Sequence, residues 1–178
     1  MKALSIIRLA FPLHEAVKAD LMRPHPFARE RVGFLFTRSG KGVQDVSMLF
    51  PVDYLSLPDE QYVDEKNLQI GAAIDGAAIR SAMQRVMDTG LGALHVHMHG
   101  YHRGRPHFSS TDWHDLPDIV RSFQNANAHL IHGALLLSQD MATGALWFPN
   151  QDLHEPQCPR VSIVGSPMRI CPEVYYER

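Results

Sequence analysis

The run His95-Val-His97-Met-His99 is followed, thirteen positions after its last histidine, by Asp112 of Ser109-Ser-Thr-Asp112. On a strand, successive side chains alternate faces, so imidazoles two residues apart point the same way and can grip one ion. An aspartate arriving after a loop supplies a third ligand. Two neutral nitrogens and one carboxylate oxygen suit Zn²⁺ and leave a fourth position open, the arrangement of a catalytic rather than a structural zinc site. Hydrolysis at such a centre needs a further carboxylate to take a proton from the attacking water and deliver it to the leaving amine. Glu30 is the candidate: it opens a strand, precedes Gly33, and lies among apolar neighbours where an acid merely facing the core would be an odd choice. The plainer alternatives are an edge carboxylate paired with Arg29 or Arg31, and ordinary exposed or hydrogen-bonded imidazoles in a chain that carries 11 histidines.

The elements that must hold these residues follow from periodicity and turn chemistry. A first strand over Leu4 to Phe11 leads into a helix from Pro12 through Glu15, Val17 and Leu21, broken by Pro24 and Pro26. Arg29 to Thr37 reads as the next strand, with Gly33 marking close approach by a neighbour. Ser39-Gly-Lys-Gly42 is turn chemistry, and Val43 to Leu57 reads as one long or two broken strands interrupted at Pro51, together an antiparallel hairpin. Gly71 to Thr89 has helical spacing and Gly90 as its C-terminal cap, so a helix feeds directly into a histidine strand over Leu91 to His99. After a loop from Gly100 to Phe108, Ser110 or Thr111 begins a helix through Leu116, Ile119, Val120 and Phe123, its regular part limited by Pro117. Ile131 to Ser138 is a buried strand, Met141 to Gly144 a turn and Ala145 to Phe148 its partner, with terminal strands at Val161 to Val164 and Met168 to Val174. The class is mixed α/β (α+β), without repeats.

Composition fits one soluble enzyme domain over residues 1–178: 45% of residues are hydrophobic and no linker or charge block divides the chain. Lys and Arg total 17 against 19 Asp and Glu, so nothing in the charge balance suggests the broad cationic surface that nucleic acid or an anionic membrane selects. Proteins or small molecules are the expected partners. The N-terminal apolar stretch is interrupted by Arg8 and carries no cleavage pattern, pointing to the cytoplasm. Cys158 and Cys171 have no metal-binding spacing and read as small hydrophobes. Met98, Trp113 and Trp147 read as core, His102, His107 and His114 as loop or helix surface, and Arg103, Arg105 and Lys41 as solvated cations able to guide an acidic surface.

Taken together, Glu30-x-x-Gly33-Phe-Leu-Phe, a helix and strand, His-x-His, a loop, and Ser109-x-x-Asp112 resemble the JAMM motif of the JAB/MPN zinc metalloproteases, over about Pro12 to Phe148. The resemblance implies a curved mixed β-sheet flanked by helices, an MPN or cytidine-deaminase-like architecture. It implies a zinc peptidase, one Zn²⁺ per chain, that cleaves after the C-terminal glycine of a ubiquitin-like protein, often at an isopeptide bond. Carried over by position, His97, His99 and Asp112 become the zinc ligands, Glu30 the acid/base, and Ser109 the hydroxyl that helps hold the oxyanion. The chain departs from the pattern in lacking a proline after the second histidine and in a longer loop to the aspartate. Gly92, three residues before His95, allows the alternative pair His95 and His97, with the remaining histidine orienting a ligand. The His-x-His-x-His and Gly104-Arg-Pro-x-Phe-Ser pattern resembles bacterial JAB proteins of ubiquitin-like conjugation systems, including antiphage defence. Competing functions are a zinc amidase or peptidase acting on a small molecule or sulfur-carrier protein, and a non-catalytic MPN scaffold.

Overall fold

The computed structural model describes residues 4–24, 30–42, 46–63, 71–99, 103–165 and 169–171. In chain order these form β1 (Ser5–Ala10), α1 (Phe11–Leu21), β2 (Val32–Lys41), β3 (Ser47–Ser56), a 3₁₀ turn (Asp59–Gln61), α2 (Gly76–Thr89), β4 (Gly92–Met98), α3 (Ser110–Ala126), β5 (His132–Leu137), β6 (Ala142–Trp147), β7 (Arg160–Val164) and β8 (Arg169–Cys171). The strands make one mixed sheet in the order β6-β5-β4-β2-β3-β1-β7-β8. Pairings β1–β3, β1–β7 and β4–β5 are parallel and the rest antiparallel. The sheet curls until it is nearly closed: Leu146 of β6 bridges to Gln157 ahead of β7. A Cβ on Gly144 would come within 2.8 Å of Pro159 and 3.1 Å of Ile7, so β6 nests against that far edge because it carries no side chain there.

Alternation along β4 divides the interior. Leu94, Val96 and Met98 join Ile7, Leu9, Leu35 and Leu135 in a core shared with α1, whereas Ala93 lies with Phe34, Phe36 and Phe123 beneath α2 and α3. Because the side-chain period of a strand is two, His95 and His97 share the face of Ala93, under the helices. The helices present matching stripes: Val17 and Leu21 on α1, Ala78, Ala82 and Val86 on α2, and Leu116, Val120 and Phe123 on α3 are buried. Met98 and Trp147 are core, and Trp113 packs partly buried beside Phe108 and Leu116.

Gly33 meets its expected neighbour, since a Cβ there would stand 2.5–2.8 Å from the Tyr54 ring. That ring is drawn across by its hydroxyl, which donates to Asp20 Oδ2 at 2.6 Å. Burial, reinforced by Asp20, pushes the Tyr54 phenol well above its ordinary value. Gly90 caps α2 with φ 65°, the left-handed conformation that glycine adopts without strain.

Several boundaries differ from the sequence expectation. Ser39, Gly40 and Lys41 belong to β2 rather than to a turn, because their ladder to Leu49, Met48 and Ser47 continues. Of the two alternatives for the next segment the structure has the one long strand, β3: the register shifts between Phe36/Asp53 and Thr37/Pro51, so a bulge at Val52 accommodates the proline that cannot donate to the ladder. α2 begins at Gly76, not Gly71, because the Asp75 carboxylate accepts the Ala78 N–H at 2.9 Å and caps it there. α3 starts at Ser110, as expected, but runs unbroken through Pro117, its buried face outweighing one missing backbone donor. The β5–β6 turn closes early, with Ser138 N–H donating to Met141 O at 2.9 Å, so Ala142, Thr143 and Gly144 are strand. Arg29, the predicted Pro26 helix break, the Val43 start, Met168 and residues 172–174 lie outside the described residues.

Candidate metal centre

The backbone register assembles the site. In the β2–β4 pair Val32 stands opposite His97. Two residues further out, beyond the last pair, Glu30 and His99 come face to face, with His99 Nε2 3.6 Å from Glu30 Oε1. Glu30 is fixed by its backbone, its N–H donating to Gly71 O at 3.0 Å. Gly71 comes so close that a Cβ there would be 3.1 Å from Glu30 Oε2. Glu30, His97 and His99 offer ligand atoms within 4.8 Å of one another and can hold a metal ion.

Asp112 reaches the same place from the first turn of α3. Ser109 is the N-cap: its Oγ accepts the Asp112 N–H at 3.1 Å, while Asp112 Oδ2 accepts from Ser109 N at 2.6 Å and Oγ at 2.7 Å. This reciprocal capping box satisfies two helix-end donors and locks one carboxylate oxygen. The other, Oδ1, is left 3.3 Å from His97 Nε2. Donor atoms on a tetrahedral ion with bonds of about 2.0–2.1 Å stand about 3.4 Å apart. Burial works to raise the Asp112 carboxyl, but the His97 imidazole and the Ser109 hydrogen bonds outweigh it and hold it far below the usual carboxylate range.

His97 is only 2% exposed; among the described residues its Nδ1 has no hydrogen-bond partner, and its Nε2 has only the Asp112 carboxylate 3.3 Å away. Buried polar atoms are rarely left in this state, and a cation at Nε2 would satisfy the one facing Asp112. The donor set therefore fits a metal ion. Phe108 packs its ring 6.1 Å from His97 and 5.1 Å from Trp113, forming an apolar wall.

His95 stands deeper, its ring 5.5 Å from that of His97 and 5.9 Å from Phe34. Burial first, then His97, pushes it down to about 3, so it is neutral at physiological pH. It is not part of the Glu30, His97 and His99 group. His107 and His114 are exposed and also stand apart from it. His102 and the Lys41 side chain lie outside the described residues. Arg103 donates to the Gln139 side chain at 3.3 Å.

Arg31 does not pair with Glu30. It turns inward, 3% exposed, to Asp59 Oδ1 at 2.7 Å and to the carbonyls of Arg23 and Pro24. Beside it the Tyr62 hydroxyl accepts the Val32 N–H and donates to Val32 O, each at 3.0 Å. Gly71 holds the backbone of Glu30 and Tyr62 that of Val32, and sequence spacing carries no sign of either contact because each comes from a distant segment.

No known protein family matches the chain, and no curated protein matches it in sequence. Among the described residues no helix is long and apolar enough to cross a membrane.

Proposed function

We propose that the chain is a zinc-dependent peptidase of the JAMM type, an MPN or cytidine-deaminase-like domain that cleaves after the C-terminal glycine of a ubiquitin-like protein. The reading extends to deconjugation or precursor maturation in a cytoplasmic bacterial ubiquitin-like system such as antiphage defence. One observation supports it above the rest: Glu30, His97 and His99 form one group able to hold an ion, Glu30 3.6 Å from His99, and Asp112 meets that group 3.3 Å from His97. His97, His99 and Asp112 would hold one Zn²⁺, their two nitrogens and one oxygen suiting that ion. When bound, zinc supplies a Lewis acid that polarises the scissile carbonyl and makes water acidic near neutral pH.

The chain's own groups supply the rest. Glu30, 28% exposed, can receive a proton from water attacking the carbonyl carbon. It then returns that proton to the amine nitrogen as the C–N bond breaks. Ser109 Oγ–H, which donates to Asp112 in this structure, can turn to the developing oxyanion while its backbone N–H keeps hold of Asp112. Phe108 and Trp113 limit water on the flank of His97.

The test is cleavage of a ubiquitin-like protein fused through its C-terminal glycine to a reporter, comparing zinc-loaded wild type with Glu30→Ala at matched metal content. Cleavage by the wild type alone is expected. Equal cleavage by both would remove Glu30 from its role, and zinc binding without cleavage of any modifier tried would overturn the substrate assignment.

A further inference from the structure

Both ends of the loop separating His99 from Asp112 are fastened to one turn. The β4–β5 ladder runs a residue past Met98, His99 N–H donating to Leu137 O at 2.9 Å. Leu137 ends β5, and the turn that follows takes hold of the returning chain. Asp140 Oδ1 accepts the Gly104 N–H at 2.8 Å, and Ser138 Oγ donates to Gly104 O at 2.7 Å. Both backbone polar groups of Gly104, which sits at φ 87°, are therefore held by the turn. Two residues on, Thr143 Oγ1 donates to Pro106 O at 2.8 Å. Ser138 and Thr143 are buried, so their hydroxyls would be costly to leave unpaired.

The clamped stretch ends at the metal centre. After Pro106, Phe108 buries its ring beside His97, and Ser109 caps the helix whose first turn carries Asp112. The segment between Arg103 and Ser109 has no helix or strand of its own, so these side chains must offset the entropy of ordering it. Its hold on the Gly104 N–H lowers the Asp140 carboxyl from its ordinary value, consistent with a bond made to the charged form.

We propose that Ser138, Asp140 and Thr143 are positioning residues of the metal centre. The β5–β6 hairpin is a template that sets the spacing of His99 and Asp112 across the loop between them, so groups that touch no ion govern its affinity. This rests on the metal-site reading above and deepens it.

The experiment is zinc affinity by chelator competition on the full chain, for wild type, Asp140→Ala, Asp140→Asn, Thr143→Val and, as a control, Asp75→Ala. Asp140→Ala and Thr143→Val are expected to weaken zinc binding by about tenfold or more, the range for groups that orient ligands. Asp140→Asn should recover most of it, since its amide oxygen still accepts from Gly104. Asp75→Ala removes the cap of α2 and should lower the thermal midpoint without changing affinity. Wild-type affinity in Asp140→Ala and Thr143→Val would overturn the proposal, as would an equal loss in Asp75→Ala. A wild type that binds zinc no better than His97→Ala would overturn the metal reading itself, and the template with it.

Discussion

Glu30 Oε1 and His99 Nε2 stand 3.6 Å apart because antiparallel pairing of Val32 with His97 leaves them opposite each other at the open end of two strands. The acid and its histidine are coupled through the backbone ladder, which costs far more to shift than a side-chain rotamer. Asp112 arrives independently, on a helix cap. The centre is therefore built from two rigid parts, a hairpin-like pair and a helix end, joined by the loop that the β5–β6 turn holds.

Depth along β4 separates the three histidines. His97→Ala and Asp112→Ala are expected to lose zinc through dialysis, while His95→Leu keeps it at one equivalent. Removing the buried imidazole whose Nδ1 has no partner should leave stability within about 1 kcal/mol of wild type or raise it. Metal content by elemental analysis decides: loss of zinc in His95→Leu as complete as in His97→Ala would make His95 a ligand.

Gly71→Ala is expected to shift the Glu30 carboxylate by a few tenths of an ångström without unfolding the chain. A Cβ there would crowd Glu30 Oε2 at 3.1 Å, displacing the carboxylate while leaving His97 and Asp112 untouched. Gly71→Ala should lower kcat by about tenfold, equivalent to about 1.4 kcal/mol of barrier, with zinc affinity and thermal midpoint retained. An unchanged kcat would show that Glu30 has room to move without consequence.

The Tyr62 hydroxyl serves both backbone groups of Val32, the first residue of β2 and the one that follows Glu30 and Arg31. Burial raises its phenol above the ordinary value despite the opposing hydrogen bond to Val32, so it stays neutral and keeps its proton for Val32 O. Tyr62→Phe strands a buried donor and acceptor, and a loss of about 1–3 kcal/mol in denaturant unfolding is expected. An undiminished midpoint would mean that water replaces the hydroxyl.

How much of this was legible in the sequence depended on range. The His-x-His spacing, the Ser109-x-x-Asp112 cap and the glycine at 33 carry local meaning, and the structure groups Glu30, His97 and His99, with Asp112 joined to that group through His97. Tyr54 above Gly33 was foreseen as an unnamed neighbour, because a bare strand position says that something approaches but not what. Gly104 held by Asp140, and Val32 held by Tyr62, could not be read, since nothing in a lone aspartate or tyrosine reports its distant backbone partner. Boundary errors arose where tertiary pairing overrode local chemistry. Ser39-Gly-Lys has turn composition yet extends β2 because β3 supplies a ladder, and Pro117 sits within α3 because Leu116 and Val120 bury the helix face on either side of it.

His132 sets an acid limit to stability that is separate from the metal. It is fully buried, accepts the Ala93 N–H at Nδ1 at 3.1 Å, and reaches Asn127 O from Nε2 at 2.9 Å. This arrangement requires the neutral Nε2–H tautomer. A second proton at Nδ1 would face the Ala93 donor, and burial lowers the group from its ordinary value near 6.5 even though Asn127 O favours the charged form. The unfolded chain therefore binds a proton that the folded chain refuses as pH falls below about 6.5, so stability present above that pH is progressively lost below it, down to the lowered folded value. The slope approaches about 1.4 kcal/mol per pH unit for one proton. His132→Asn keeps an oxygen for Ala93 and cannot titrate. Its unfolding free energy should start lower at pH 8 because the smaller side chain leaves a cavity, then fall less steeply than wild type between pH 6.5 and 5. Parallel slopes for the two proteins across that interval would show that His132 takes no part in acid unfolding.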